Sequence, residues 1–165
     1  MPGAEILILL DAIDRAFNRR SWHGTNLRGS LRSITAEEAA WRPSPGRHNI
    51  WELVVHAAYW KYVVHRRLAG KAVGSFVLKG SNWFSRPEGK PAEAAWKKDI
   101  RVLDDIHRSL RAAVSMVKPG ELSYKPANSK VTNLMLIEGI AAHDLYHAGQ
   151  IQLLKRLVRD SKNAG

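Results

Sequence analysis

Three histidines carry the chemistry that this chain can offer. His143 and His147 lie in a stretch of helical periodicity, and at about 100° per residue they project within about 40° of each other, one turn apart. Their face otherwise carries Leu136, Ile140, Ile151, Leu154 and Val158, so both imidazoles are expected to point into a core. The same arithmetic puts His56 on an apolar stripe with Leu53, Trp60, Val63 and Val64 of an earlier helix. A single histidine on such a stripe is ordinarily a hydrogen-bonded core residue. Three of them need three separate partners, because burying a polar ring without one is costly, whereas one divalent metal satisfies all three. An i, i+4 pair plus one His from a facing helix is a geometry that bundles use to hold metals. Three neutral ligands leave a coordination position open, as catalytic sites do, and a metal there lowers the pKa of a bound water, ionises a small thiol or polarises an electrophile. His-rich sites suit Zn, Ni, Cu or Fe, and Zn or Ni is the expectation here.

Other polar side chains fall near these faces. Gln150 projects within about 20° of the His143 direction, where it orients a ligand or bound group, or else pairs with backbone or another helix. Glu52 stands one turn before His56, within reach of a metal or a substrate proton, although a capping role at the start of that helix also accounts for it. These two are the candidate catalytic side chains. Asp144 either accepts a proton from an imidazole or sits on a solvated face. His48, His65 and His107 read as surface or boundary residues, and His23 has no clear place.

The elements that position these groups are helices almost throughout. The first amphipathic segment runs from about Ala4 to Arg32 through Ile6, Leu10, Ile13 and Phe17, with disturbances near Gly24 and Gly29. The second follows Pro43-Ser-Pro45-Gly46, with Asn49 as N-cap and Glu52 completing a capping box, and runs to Ala69 before Gly70. The third begins after Pro91, stops before Pro119-Gly120, and offers Glu93–Lys97, Arg101–Asp105 and Asp104–Arg108 as one-turn ion pairs. The fourth extends from near Val131 to about Arg159. Only Val73 to Leu78 has extended character. It lies in a segment of about twenty residues, Gly70 to Pro91, that is long for an ordinary connection; Trp83 and Phe84 on it either close over a site or anchor the loop.

These features predict an all-α fold, a four-helix bundle with a long loop between helices two and three, in one domain over residues 1–165. With 45% hydrophobic residues the chain can build a core, and the lack of cysteine excludes disulfides, thiolate metal sites and a protein-borne thiol nucleophile. The early apolar run Ile6–Leu10 is too short for a membrane span and lacks the pattern of a signal peptide, so a cytoplasmic protein is expected. The balance of 26 Lys plus Arg against 15 Asp plus Glu, a net charge of +11, suits anionic ligands. No helix-turn-helix, zinc-finger or OB-like pattern accompanies that charge, so no specific nucleic acid and no membrane are expected as partners.

Trp22-His23-Gly24, then Trp51-Glu-Leu-Val-Val-His56 with Trp60, then His143-Asp-Leu-Tyr-His147-Ala-Gly-Gln-Ile151 resemble, in order and spacing, the DinB-like (DinB/YfiT) family of four-helix-bundle metalloenzymes, from about Trp22 to Leu157. The resemblance implies an up-down-down-up bundle in which His56, His143 and His147 hold one divalent metal. It also implies homodimers and transfer or isomerisation chemistry with a low-molecular-weight thiol such as bacillithiol or mycothiol. The chain departs from the family pattern at Gly80-Ser-Asn-Trp-Phe, where relatives often carry an acidic residue before the Trp, and in its high positive charge. The resulting expectation is a metal-dependent transferase or isomerase that takes a small, anionic substrate and a thiol co-substrate. A metal-dependent hydrolase, or a basic nucleic-acid-binding bundle with a structural metal, are the alternatives.

Overall fold

The computed structural model describes residues 2–70 and 73–163. Among these residues six α-helices follow one another: α1 (Ala4–Phe17), α2 (Leu27–Ser30), α3 (Ala36–Ala40), α4 (Ile50–Ala69), α5 (Glu93–Met116) and α6 (Asn133–Asn163), with a 3-10 turn at Pro119–Glu121. Among the described residues there is no strand. Val73 to Leu78, which has extended character in the sequence, lies in loop, where Phe76 packs on Tyr59 and Tyr62 and the Tyr62 hydroxyl donates to Gly74 O (2.7 Å).

The first amphipathic segment is not one helix. α1 stops at Phe17, and a polar stretch follows in which Gly24 takes φ +100°, a left-handed conformation open to glycine. The chain re-enters helix at α2, where Asn26 Oδ1 accepts from Gly29 N (2.8 Å). α3 opens with a reciprocal capping box: Thr35 Oγ1 accepts from Glu38 N (3.2 Å) while Glu38 Oε2 accepts from Thr35 N (3.1 Å).

α4 begins and ends at the expected residues, but its cap differs in detail. Asn49 Oδ1 accepts from Glu52 N (2.8 Å), and Asn49 Nδ2 donates to Arg86 O (2.7 Å) and Ala40 O (3.3 Å), whereas the Glu52 side chain turns elsewhere. Asn49 is fully buried, so Asn49→Ala removes the cap and strands the Arg86 carbonyl. The expected loss is about 2–3 kcal/mol, read as a shift in the urea midpoint at constant slope; a loss below about 0.5 kcal/mol would assign Asn49 a minor role.

α5 matches its expected start, and α6 begins at Asn133, two residues after Val131, because Thr132 Oγ1 accepts from Met135 N (3.3 Å). None of the three expected ion pairs along α5 is present among the described residues. Asp104 instead takes Arg28 of α2 (2.7 Å), Glu93 Oε1 accepts from Ala36 N of α3 (2.6 Å), and Asp105 pairs with Arg108. Partners supplied by the short helices replaced the local ones at Glu93 and Asp104, and Asp105 took a different partner within α5 itself.

α4 packs against both α5 and α6, and α1 against α5 and α6. One apolar cluster gathers Phe17, Trp51, Trp96, Leu103 and Ile151; the other gathers Ile6, Ile13, Leu110, Val114 and Ile137. The packing of α4 on α6 brings the two histidine-bearing faces together.

Candidate metal centre

α4 contributes His56, and α6 contributes His143 and His147. His56 and His147 are buried and His143 half-buried, and their ligand nitrogens all lie within 4.8 Å of one another. His143 Nε2 stands 3.2 Å from His56 Nε2 and 3.0 Å from His147 Nε2.

The far side of each ring decides what these nitrogens carry. His56 Nδ1 is 2.8 Å from the carbonyl of Asn82, which only accepts, so Nδ1 holds the proton and Nε2 presents a lone pair. His147 Nδ1 donates in the same way to Gln150 Oε1 (2.6 Å). Two lone pairs therefore face His143 Nε2, and a single N–H there can satisfy at most one of them well. His143 Nδ1 is buried and has no partner among the described residues. Three convergent imidazole nitrogens, two with tautomers locked by acceptors behind them, form a donor set that fits a divalent cation.

Burial also keeps the rings neutral, the form that binds metal. It lowers the His56 pKa; with the neighbouring rings and Lys61 it lowers that of His143 to about 3; and it lowers that of His147 to about 4 against the opposing bond to Gln150.

Sequence reasoning missed Asn82 as a partner. It adopts a left-handed conformation (φ +63°), its Oδ1 accepts from Trp60 Nε1 (2.9 Å), and its carbonyl is thereby aimed at His56. The residue before Trp83 is thus used through its backbone, so the missing carboxylate leaves that bond in place. Trp83 stacks on His56 (3.9 Å between centroids) and on His48 (3.6 Å), while Phe84 is buried against Tyr59 and Phe76. The loop is anchored over the histidines by these contacts.

Of the two candidate catalytic side chains, Gln150 joins the cluster through His147 and Glu52 does not. Glu52 accepts from both Arg42 terminal nitrogens (2.9 Å for Nη1) and lies 2.9 Å from His48 Nδ1. Burial alone would raise its pKa, but Arg42, His48 and the Arg86 N–H hold the carboxylate below its ordinary range. Arg42 also donates to Arg47 O (2.6 Å). A cavity of about 450 Å³ opens beside His147 and Gln150, walled by Leu53, Trp83, Tyr146 and Leu154, with Arg47 and His48 on it.

Asp144 takes neither expected role. It is fully buried and paired with the equally buried Lys61 of α4, and its Oδ1 has no partner among the described residues. His107 is a correction as well: it is 4% exposed, not a boundary residue, stacks on Phe17 (3.7 Å) and stands 3.3 Å from Lys61 Nζ, whose ammonium can only donate. His48 is exposed and His65 half-buried; His23 is exposed, with Ser21 Oγ 3.4 Å away.

Burial, then Lys61, Arg111 and Arg108, lower the His107 pKa to about 3. The unfolded chain takes up this proton near pH 6.5 and the native one does not, so His107 stabilises the fold above pH 6.5 and loses that contribution as pH falls toward 3. Asp144, raised to about 6 by burial against the pull of Lys61, acts in the opposite sense as pH falls from 6 toward 3.8. Between pH 7.5 and 5, wild type should therefore lose more stability than His107→Gln, by at most about 1.4 kcal/mol per pH unit. Parallel urea-stability profiles would refute the assignment.

No helix among the described residues is long and apolar enough to cross a membrane. No curated protein and no solved structure is a significant match to the chain. The family model described as DinB superfamily matches residues 19–151, from the end of α1 to beyond the second α6 histidine, and so spans every residue of the three-histidine cluster. On that match the chain belongs to the DinB superfamily.

Proposed function

We propose that this chain is a metal-dependent enzyme in which His56, His143 and His147 hold one divalent ion, zinc or nickel, and that it carries out transfer or isomerisation with a low-molecular-weight thiol as co-substrate. The observation that carries this reading is the convergence of three Nε2 atoms, two of them deprotonated by the acceptors behind their rings. An ion bound there supplies Lewis acidity, sufficient to ionise a thiol or polarise an electrophile at neutral pH.

The protein's own contribution is positioning. Asn82 O and Gln150 Oε1 hold the rings of His56 and His147. Leu53, Leu154, Tyr146 and Trp83 offer an apolar wall to the body of a substrate, and Arg47 and His48 offer a polar side for its anionic group. Glu52 acts as a positioning residue: it holds His48 directly and holds Arg42, which in turn donates to the Arg47 carbonyl. With no cysteine in the chain, the thiol comes from solution, which accords with a cytoplasmic setting where small thiols stay reduced.

In the same reading α1, α4, α5 and α6 are the four helices of one up-down-down-up bundle domain, and residues 73–91 belong to its long loop. The homodimer belongs here too. Met135, Tyr146, Leu153 and Leu157 are large, exposed and aligned along one face of α6, a stripe that a second copy would cover.

Calorimetric titration of metal-loaded protein with bacillithiol, mycothiol and glutathione tests the chemistry. At least one thiol should bind, more tightly as pH rises toward the thiol's own pKa because less proton remains to be removed, and not at all to metal-free protein. Absence of thiol binding, together with thiol-independent cleavage of an ester or amide, would replace this reading with hydrolysis.

A further inference from the structure

A second concave site lies on the side of the molecule formed by the loop after α1, α2 and the later turns of α6. It is a cleft of about 870 Å³ that shares no lining residue with the cavity beside His147. Five cationic side chains line it and, among the described residues, no carboxylate does. Two are already neutralised: Arg28 by Asp104 (2.7 Å) and Arg159 by Glu38 (3.1 Å). Arg20, Arg32 and Lys155 have no carboxylate partner among the described residues, so three positive charges face one cleft uncompensated.

Lys155 is held in that position. Its ammonium donates to the carbonyls of Ser30 (3.4 Å) and Arg32, both at the α2 end of the cleft. Burial, then the Arg159 charge and, against the opposing pull of Glu38, the Arg32 charge lower its pKa. A cation kept among like charges is in an environment that an anion would relieve.

We propose that this cleft binds a small polyanion carrying two or more phosphate groups. The count of three uncompensated charges matches such a ligand, whereas one carboxylate would leave two of them unpaired, and guanidinium groups suit phosphate oxygens by their fork geometry. Thr25 and Ser33 add polar side chains suited to hydroxyls or further phosphate oxygens. No aromatic side chain lines the cleft among the described residues, so it lacks the stacking surface that single-stranded nucleic-acid sites use. The volume is that of a small-molecule site, and the concave shape does not enter a DNA groove.

Calorimetric titration of the full chain with inorganic tripolyphosphate and with fructose 1,6-bisphosphate, at low and at physiological salt, tests this. Saturable one-to-one binding of at least one probe is expected. Preference for tripolyphosphate would indicate a phosphate chain, and preference for the bisphosphate a hydroxylated backbone. Arg20 and Arg32 are exposed, so their replacement should not disturb folding, which melting curves check. Arg20→Gln and Arg32→Gln should each weaken binding about 5-fold and together about 25-fold. Arg101→Gln, on the exposed face of α5, and His143→Ala should leave it within about 2-fold. Failure of both probes to saturate, or equal weakening by Arg101→Gln, would overturn the proposal. So would a 20-base-pair duplex that binds more tightly than tripolyphosphate and is lost in the same variants, since that would make the surface a nucleic-acid contact.

Discussion

Lys61→Met should destabilise the protein by about 3–5 kcal/mol, more than any other single replacement considered for the fold, because it leaves a carboxylate unpaired in the core. Lys61 and Asp144 are both fully buried, one on α4 and the other on α6, and the ammonium also stands over the Phe17 ring (4.8 Å). Burial pushes each toward its neutral form, lowering the Lys61 pKa and raising that of Asp144, while the partner's charge opposes the shift in each case. Asp144 Oδ1 already lacks a partner among the described residues, so removal of Lys61 would leave both oxygens unsatisfied there. At roughly 2–4 °C per kcal/mol for a domain of this size, the melting temperature should fall by roughly 10 °C. The double variant Lys61→Met/Asp144→Leu should regain most of the loss, because two apolar side chains need no compensation. A single variant that costs less than about 1 kcal/mol, or a double variant no better than the single, would show that the pair does not act as a unit.

The histidine cluster was legible in the sequence because each ring sits on an otherwise apolar stripe of a long, regular helix. The same signal marks the Lys61–Asp144 pair. Lys61 shares a stripe with Val54, Ala57 and Ala58, and Asp144 shares one with Ile137, Ala148 and Ile151, all of them buried. Opposite charges on the inner faces of two helices are expected to pair. His107 likewise lies in line with Leu103, Leu110 and Val114.

The short helices were harder to read. α2 and α3 have four and five residues, too few to develop a stripe, and only their caps announce them: Asn26 for α2, and Thr35 with Glu38 for α3. They account for two of the three ion pairs absent along α5, since Arg28 and the Ala36 N–H come from these two helices, whereas Asp105 pairs with Arg108 on α5 itself. The bond from His56 to Asn82 was not legible at all. It runs to a backbone carbonyl across 26 residues of sequence, and no side-chain pattern encodes it.

The second large effect concerns the metal. Removing one of three ligands deprives an ion of a third of its protein donors, so His56→Ala, His143→Ala and His147→Ala should each weaken binding by more than about 100-fold. Gln150→Ala, which frees the His147 ring without removing a ligand, should cost about 10-fold, within the 10–100-fold usual for such partners. His48→Ala should cost little, since its contacts run to Glu52 and Trp83. The helices carry their own apolar cores, so helical circular dichroism should survive chelation. The most direct measurement is elemental analysis of protein reconstituted with zinc or nickel and freed of excess by gel filtration. The expected result is one ion per chain for wild type and His48→Ala, with less than about one tenth of that for the three histidine variants. Full stoichiometry in any of those three variants, or none in wild type, would contradict the assignment of His56, His143 and His147 as the ligands.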